Sequence, residues 1–146
     1  MGQVVALFVF PQDGGAAEAR GEVLARLDGG FDGDHARTPQ RAVTVLALEQ
    51  WREALAEIGA DLPPAARRAN VVVSGVDLSG TMGKRLRLGG AEIEVLGEVK
   101  PCHVMEETRP GLRAALTPGW RGGVHGRVVR AGAIRVGDTV EALAAP

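Results

Sequence analysis

At 146 residues the chain has the usual size of one domain, and a chain of that length buries about two thirds of its unfolded surface, enough to fold without staples. A single cysteine excludes an internal disulfide. With no Tyr, three Phe and two Trp, the chain lacks the aromatic platforms on which single-strand and RNA binders stack bases. Net charge is −1, yet residues 1–61 carry 10 acids and 5 bases while residues 62–146 carry 8 and 12, portions of −5 and +4. A basic portion suits an anionic ligand, although scattered solvated arginines give the same count. The first residues show no basic flank, apolar run and small-residue cleavage site. The apolar stretch 4–10 is too short to span a bilayer. The expectation is one domain over residues 1–146, soluble and cytoplasmic, with neither nucleic acid nor membrane as partner and with an oligomeric state that the sequence does not define.

Glycines and prolines are spread through the chain as short punctuation, which is how a sheet protein with many turns reads. Residues 4–10 are β-branched and aromatic and stop at Pro11, which predicts a buried strand. Val23, Ala25 and Leu27 alternate before the turn Asp28-Gly29-Gly30, a weaker second strand. Val43, Val45 and Ala47 share one side of a third, after which the period changes. Leu48, Trp51, Leu55 and Ile58 fall at helical spacing, and Gly59 supplies a left-handed stop. Such an apolar face is normally core, so Trp51 is expected to pack.

Beyond Pro63-Pro64 come the strand Asn70-Val71-Val72-Val73 and an alternating run over 84–88. Gly89-Gly90 signals a hairpin into Glu92-Ile93-Glu94-Val95. A second hairpin is expected at Ala131-Gly132, joining 124–130 to 133–136, with Gly137-Asp138 turning into 139–143. Between the hairpins, 100–122 is irregular apart from a short helix at 111–116. About seven strands and one or two short helices predict a mainly β protein, a closed or half-closed barrel.

The chemistry concentrates at Cys102, between Pro101 and His103 at the end of a predicted strand, where a side chain is held firmly and stays accessible. Lys100 and His103 flank the thiol with positive or potentially positive groups, a setting in which sulfur serves as nucleophile or metal ligand. An inert buried cysteine is the alternative, and the polar neighbours speak against it. Three further segments can converge on the thiol: Asp34-His35 after a turn-rich stretch, Arg67-Arg68-Ala69-Asn70 before a strand, and Trp120-Arg121-Gly122-Gly123. Arginine beside glycine suits phosphate, because the planar fork binds two oxygens while glycine lets backbone N–H groups approach. Each segment alone reads equally as a solvated end. In an extended strand Arg67 and Arg68 would face opposite ways, so only one of them would serve. A zinc site from Cys102, His103, His35 and His125, and a Cys/His nucleophile pair, are arithmetically open.

Taken in order, these segments resemble the MOSC family, the domain at the C-terminal end of molybdenum cofactor sulfurases that also occurs in small bacterial proteins. The residues that carry the resemblance are Gly33-Asp34-His35-Ala36 with Arg41-Ala42-Val43, then Arg67-Arg68-Ala69-Asn70-Val71-Val72-Val73. Gly83-Lys84-Arg85-Leu86-Arg87-Leu88-Gly89, Pro101-Cys102, Arg121-Gly122-Gly123-Val124 and Ile134-Arg135-Val136-Gly137-Asp138 follow in family order. The resemblance implies a barrel-like fold with a pocket, and a Cys102 that binds the molybdenum of a pterin cofactor (molybdopterin) or carries sulfur as a persulfide. It implies that Arg67, Arg68, Asn70, Arg121 and Gly122 lie at the cofactor's phosphate and pterin edge, with Asp34 and His35 near the pocket. Pyridoxal phosphate binding attaches to the family only at a general level. Two activities follow as expectations: an oxidoreductase component reducing N-hydroxylated or related small substrates, or a sulfur carrier. With no reductase, iron–sulfur or aminotransferase-like segment in the sequence, either activity requires a partner, a redox protein or a cysteine desulfurase. A binding module without chemistry is the third class.

Overall fold

The computed structural model describes residues 2–12, 14–27, 29–35 and 41–143. Asp28 of the predicted turn and Ala36 of the family-like segment lie outside them. The elements run β1 Gly2–Val9, β2 Glu18–Arg20, β3 Glu22–Ala25, β4 Val43–Ala47, α1 Leu48–Ile58, β5 Val71–Ser74, β6 Arg85–Leu88 and β7 Ala91–Glu98. They continue α2 His103–Thr108, α3 Leu112–Leu116, β8 Val124–Arg130, β9 Gly132–Arg135 and β10 Thr139–Leu143. Hydrogen bonding places the strands in the order β10-β6-β7-β8-β4-β5-β1, and Gly2 and Gln3 then pair with Val140 and Thr139. The seven strands therefore close into a barrel, mixed because β4 and β5 run parallel while the other barrel pairs are antiparallel. β2 extends β1 outside the closure.

Alternation explains the inside of the barrel. Leu86 and Leu88 of β6, Ile93 and Val95 of β7, Val128 of β8 and Val140 of β10 turn inward to a continuous core with Val4, Val43, Val45 and Val73. β4 does not alternate, because every residue of it is buried. Its outward residue Leu46, with Val72 of β5, packs under a helical cap formed by Trp51, Ala54 and Leu55 of α1, Met105 of α2 and Leu112 and Leu116 of α3. The parallel β4–β5 pair needs a crossover, and α1 supplies it on that face. Trp51 packs as expected, with its indole N–H donating to the Leu62 carbonyl at 3.1 Å. Gly59 ends α1 at φ 64, in the left-handed region.

The barrel expectation holds, and the helices differ: among the described residues there are three α-helices, and α1 runs 11 residues. The second hairpin is overturned. β8 and β9 are separated by one residue, yet β9 pairs with β3, Val23 opposite Ile134. After Arg130 the chain crosses the β6–β7 turn, where Gly90 N–H donates to Ala133 O, and a Cβ at Gly132 would lie 2.2 Å from the Gly90 carbonyl oxygen. Glycine is what permits this close crossing. Among the described residues no helix is long and apolar enough to cross a membrane.

Candidate functional site

β7 ends at Glu98, and Pro101 prevents the strand from continuing. The chain turns at Cys102, whose backbone is extended and whose carbonyl accepts from Met105 N–H as α2 begins. Cys102 is exposed. It opens onto a pocket of about 530 Å³, within the range of small-molecule and cofactor sites. Arg41, Arg67, Arg68 and Lys100 share its wall, Val104 and Met105 line one side, and among the described residues no lining residue is a carboxylate.

Both arginines reach the pocket because their segment is not a strand. Pro64 opens a 3-10 turn, Pro64–Arg67, and Arg68 follows in the left-handed region at φ 65. That reversal sends the two side chains to different parts of one pocket. Arg67 is buried, 8% exposed. Its Nε–H donates to the Gly122 carbonyl at 3.1 Å and an Nη2–H to the Val99 carbonyl at 3.2 Å, joining the end of β7 to the loop before β8. Burial lowers its pKa, attraction to Cys102 works the other way, and Arg41 adds to the lowering. The guanidinium remains a cation at any working pH. Arg68 lies over the Phe10 ring, 4.5 Å from its centroid. Gly122 belongs to the wall: a Cβ there would stand 2.3 Å from the Val99 oxygen.

The other expected residues have different engagements. Asn70 is buried between strands, its side-chain oxygen accepting from Thr44 N–H at 3.1 Å and Thr44 Oγ1 at 3.2 Å. Its Nδ2 donates to Phe8 O at 3.3 Å. Arg121 turns away to α1, binding Glu53 at 2.7 Å, Glu57, and the Ala115 carbonyl at 2.9 Å. The hydrogen bond to Glu53 is the largest influence raising its pKa, burial opposes it, and Glu57 adds to it. Asp34 and His35 hold the backbone of Phe10. For the zinc alternative, no three ligands of the required types are gathered among the described residues.

No site role is expected from the sequence for Arg41, Met105 or Phe10. Arg41 lies within the family-like segments, so a signal was there. The α2 side of the pocket had none, since a helix of six residues with one buried side chain has no period to detect.

A closed mixed barrel with one cysteine at a cationic pocket defines a class of domain, and the chain belongs to it: residues 32–141 match the MOSC domain, so this protein is a member of the MOSC family. Among solved structures it is similar to the YuaD protein from Bacillus subtilis, with 22% identity and a TM-score of 0.81 over 99% of this chain and 97% of that one. YiiM from Geobacillus stearothermophilus is similar at 17% identity and TM-score 0.75, covering 98% of this chain and 75% of the other. YiiM from Escherichia coli is similar at 20% and 0.71, covering 97% and 69%. At these identities the likeness establishes the fold. No curated protein matches the chain.

Proposed function

We propose that Cys102 ligates the molybdenum of a pterin molybdenum cofactor, and that the domain is the cofactor-holding part of an oxidoreductase acting on N-hydroxylated or related small substrates. The observation that carries this reading is the pocket: among the described residues it has one exposed thiol, four cationic side chains and no carboxylate lining. The residues fit such a group. A thiolate is a soft ligand suited to a thiophilic metal, and a wall of cations suits a ligand bearing phosphate. Among the described residues the buried Arg67 charge has no acid beside it in that wall, so an anion would supply a counter-charge. Membership of the MOSC family supports the same reading.

When bound, the cofactor supplies the redox chemistry. The chain's own residues do the rest. Cys102 contributes the ligand sulfur; Arg41, Arg68 and Lys100 balance the anionic end; Val104 and Met105 cover an apolar side of the ligand; and Arg67 holds together the two backbone segments that frame the pocket. Electrons come from a redox partner protein. The test is elemental and mass analysis of protein made in a cofactor-competent host. Near-stoichiometric molybdenum that vanishes in Cys102→Ala is the expected result, and its absence from the wild type refutes the reading.

The exposure of Cys102 favours a second reading, a sulfur carrier, because a partner's active site can reach it. The Cys102 thiolate would attack the outer sulfur of a cysteine desulfurase persulfide, breaking that S–S bond and releasing the desulfurase thiolate. A mass increment of one sulfur, lost in Cys102→Ala, distinguishes this reading.

A further inference from the structure

Phe10 is the residue immediately after β1, and Pro11 follows it, so its backbone polar groups lack the regular ladder of the strand. Both are taken by one distant segment. Asp34 Oδ1 accepts the Phe10 N–H at 2.7 Å, His35 N–H donates to the Phe10 carbonyl at 2.8 Å, and His35 Nδ1 lies 2.9 Å from the same oxygen. Gly33, at φ 88, makes the turn that presents them. The fixed ring of Phe10 is fully buried, and the Arg68 guanidinium lies over it, 4.5 Å from its centroid. Among the described residues no hydrogen-bond acceptor or carboxylate engages that guanidinium. Stacking occupies its face and leaves its in-plane N–H groups for an anion in the pocket it lines.

We propose that Asp34 and His35 are positioning residues that set the direction of Arg68 through Phe10, and so fix where the anionic end of the pocket's ligand is held. The ligand half rests on the reading of the pocket above; the positioning half rests on the contacts alone. Neither Asp34 nor His35 lines the pocket, so their influence passes through the ring.

The experiment is side-chain NMR of the ligand-free protein together with titration by inorganic phosphate. In the wild type the Arg68 Hδ and Hε resonances should lie upfield under the ring current of Phe10. Phe10→Leu should abolish that shift, Asp34→Ala should move the signals most of the way to the free value, and Asp34→Asn, which keeps an acceptor oxygen, should restore them. Phosphate affinity should fall about three- to ten-fold in Phe10→Leu and Asp34→Ala. It should fall no further in Asp34→Ala/Arg68→Gln than in Arg68→Gln alone. Arg68 resonances unmoved in folded Asp34→Ala, or in His35→Gln should Asp34→Ala not fold, overturn the positioning role. Additive losses in the double variant overturn it too. A wild type that binds no phosphate overturns the ligand half and the pocket reading with it, while the resonances still decide the positioning half.

Discussion

The guanidinium of Arg67 and the carbonyl of Gly122 meet at 3.1 Å across 55 residues of sequence, and this bond ties together two parts of the pocket wall. A second bond from Arg67 reaches Val99 at the end of β7, so one buried cation joins the strand that leads to Cys102 with the loop that enters β8. Gly122 lies so close to the Val99 carbonyl that any side chain would force the two segments apart.

Arg67→Met should therefore destabilise the fold by about 2–4 kcal/mol, since two largely buried carbonyls lose charged donors, offset in part by relief of a desolvated cation. Arg67→Lys keeps the charge but offers no planar fork to span both oxygens and should recover less than half. Denaturant midpoints measure both. Inorganic phosphate should raise the midpoint of the wild type and raise that of Arg67→Met by less, because one of the four pocket cations that meet the anion is gone.

Asn70→Ala should cost about 2–4 kcal/mol by leaving the Thr44 N–H and the Phe8 carbonyl unpaired in the core. Asn70 bridges β4 and the end of β1 and does not line the pocket. Variant protein that folds at low temperature should consequently bind phosphate as the wild type does. Calorimetric titration checks this, and a selective loss of binding would return Asn70 to the ligand.

Local signals were legible and non-local ones were not. α1 was readable from Leu48, Trp51, Leu55 and Ile58 with Gly59 behind them, and the β6–β7 hairpin from alternation around Gly89-Gly90. The partner of β9 was not readable, because a turn signal names only the adjacent strand while β3 lies far back in the sequence. At the site, Cys102 stood out by its polar neighbours. The joint placement of Arg67 and Arg68 was hidden by reading a strand where Pro64 starts a 3-10 turn. Arg121 and Gly122 looked like one phosphate motif, yet they part company: glycine enters the pocket wall, while arginine turns to the carboxylates that α1 presents at Glu53 and Glu57.

Arg121→Gln should loosen the cap, costing about 1 kcal/mol, less at high salt, since both carboxylate partners are more than half exposed. The raised pKa sets the sign of the pH dependence. The stabilising charge is fully present below the ordinary arginine value and is lost only as the pH climbs through the higher folded value. No alkaline loss from this residue is expected below about pH 10. Thermal melts at low and high salt across that range test the point, and metal content should be unaffected.

Cys102→Ser separates chemistry from folding. The thiol is exposed at the start of α2, where it fills no core space, so the stability of the empty protein should change by less than about 0.5 kcal/mol. The loaded protein behaves differently. A ligand held at a hundred times its dissociation constant adds about 2.7 kcal/mol to the native state, and that increment should vanish together with the metal in the serine variant if sulfur is the essential ligand. If the increment survives while the metal is lost, the cations alone bind the organic part, and Cys102 serves the metal and nothing else. Paired melts of wild type and variant, from cofactor-competent and cofactor-deficient hosts, separate these two outcomes.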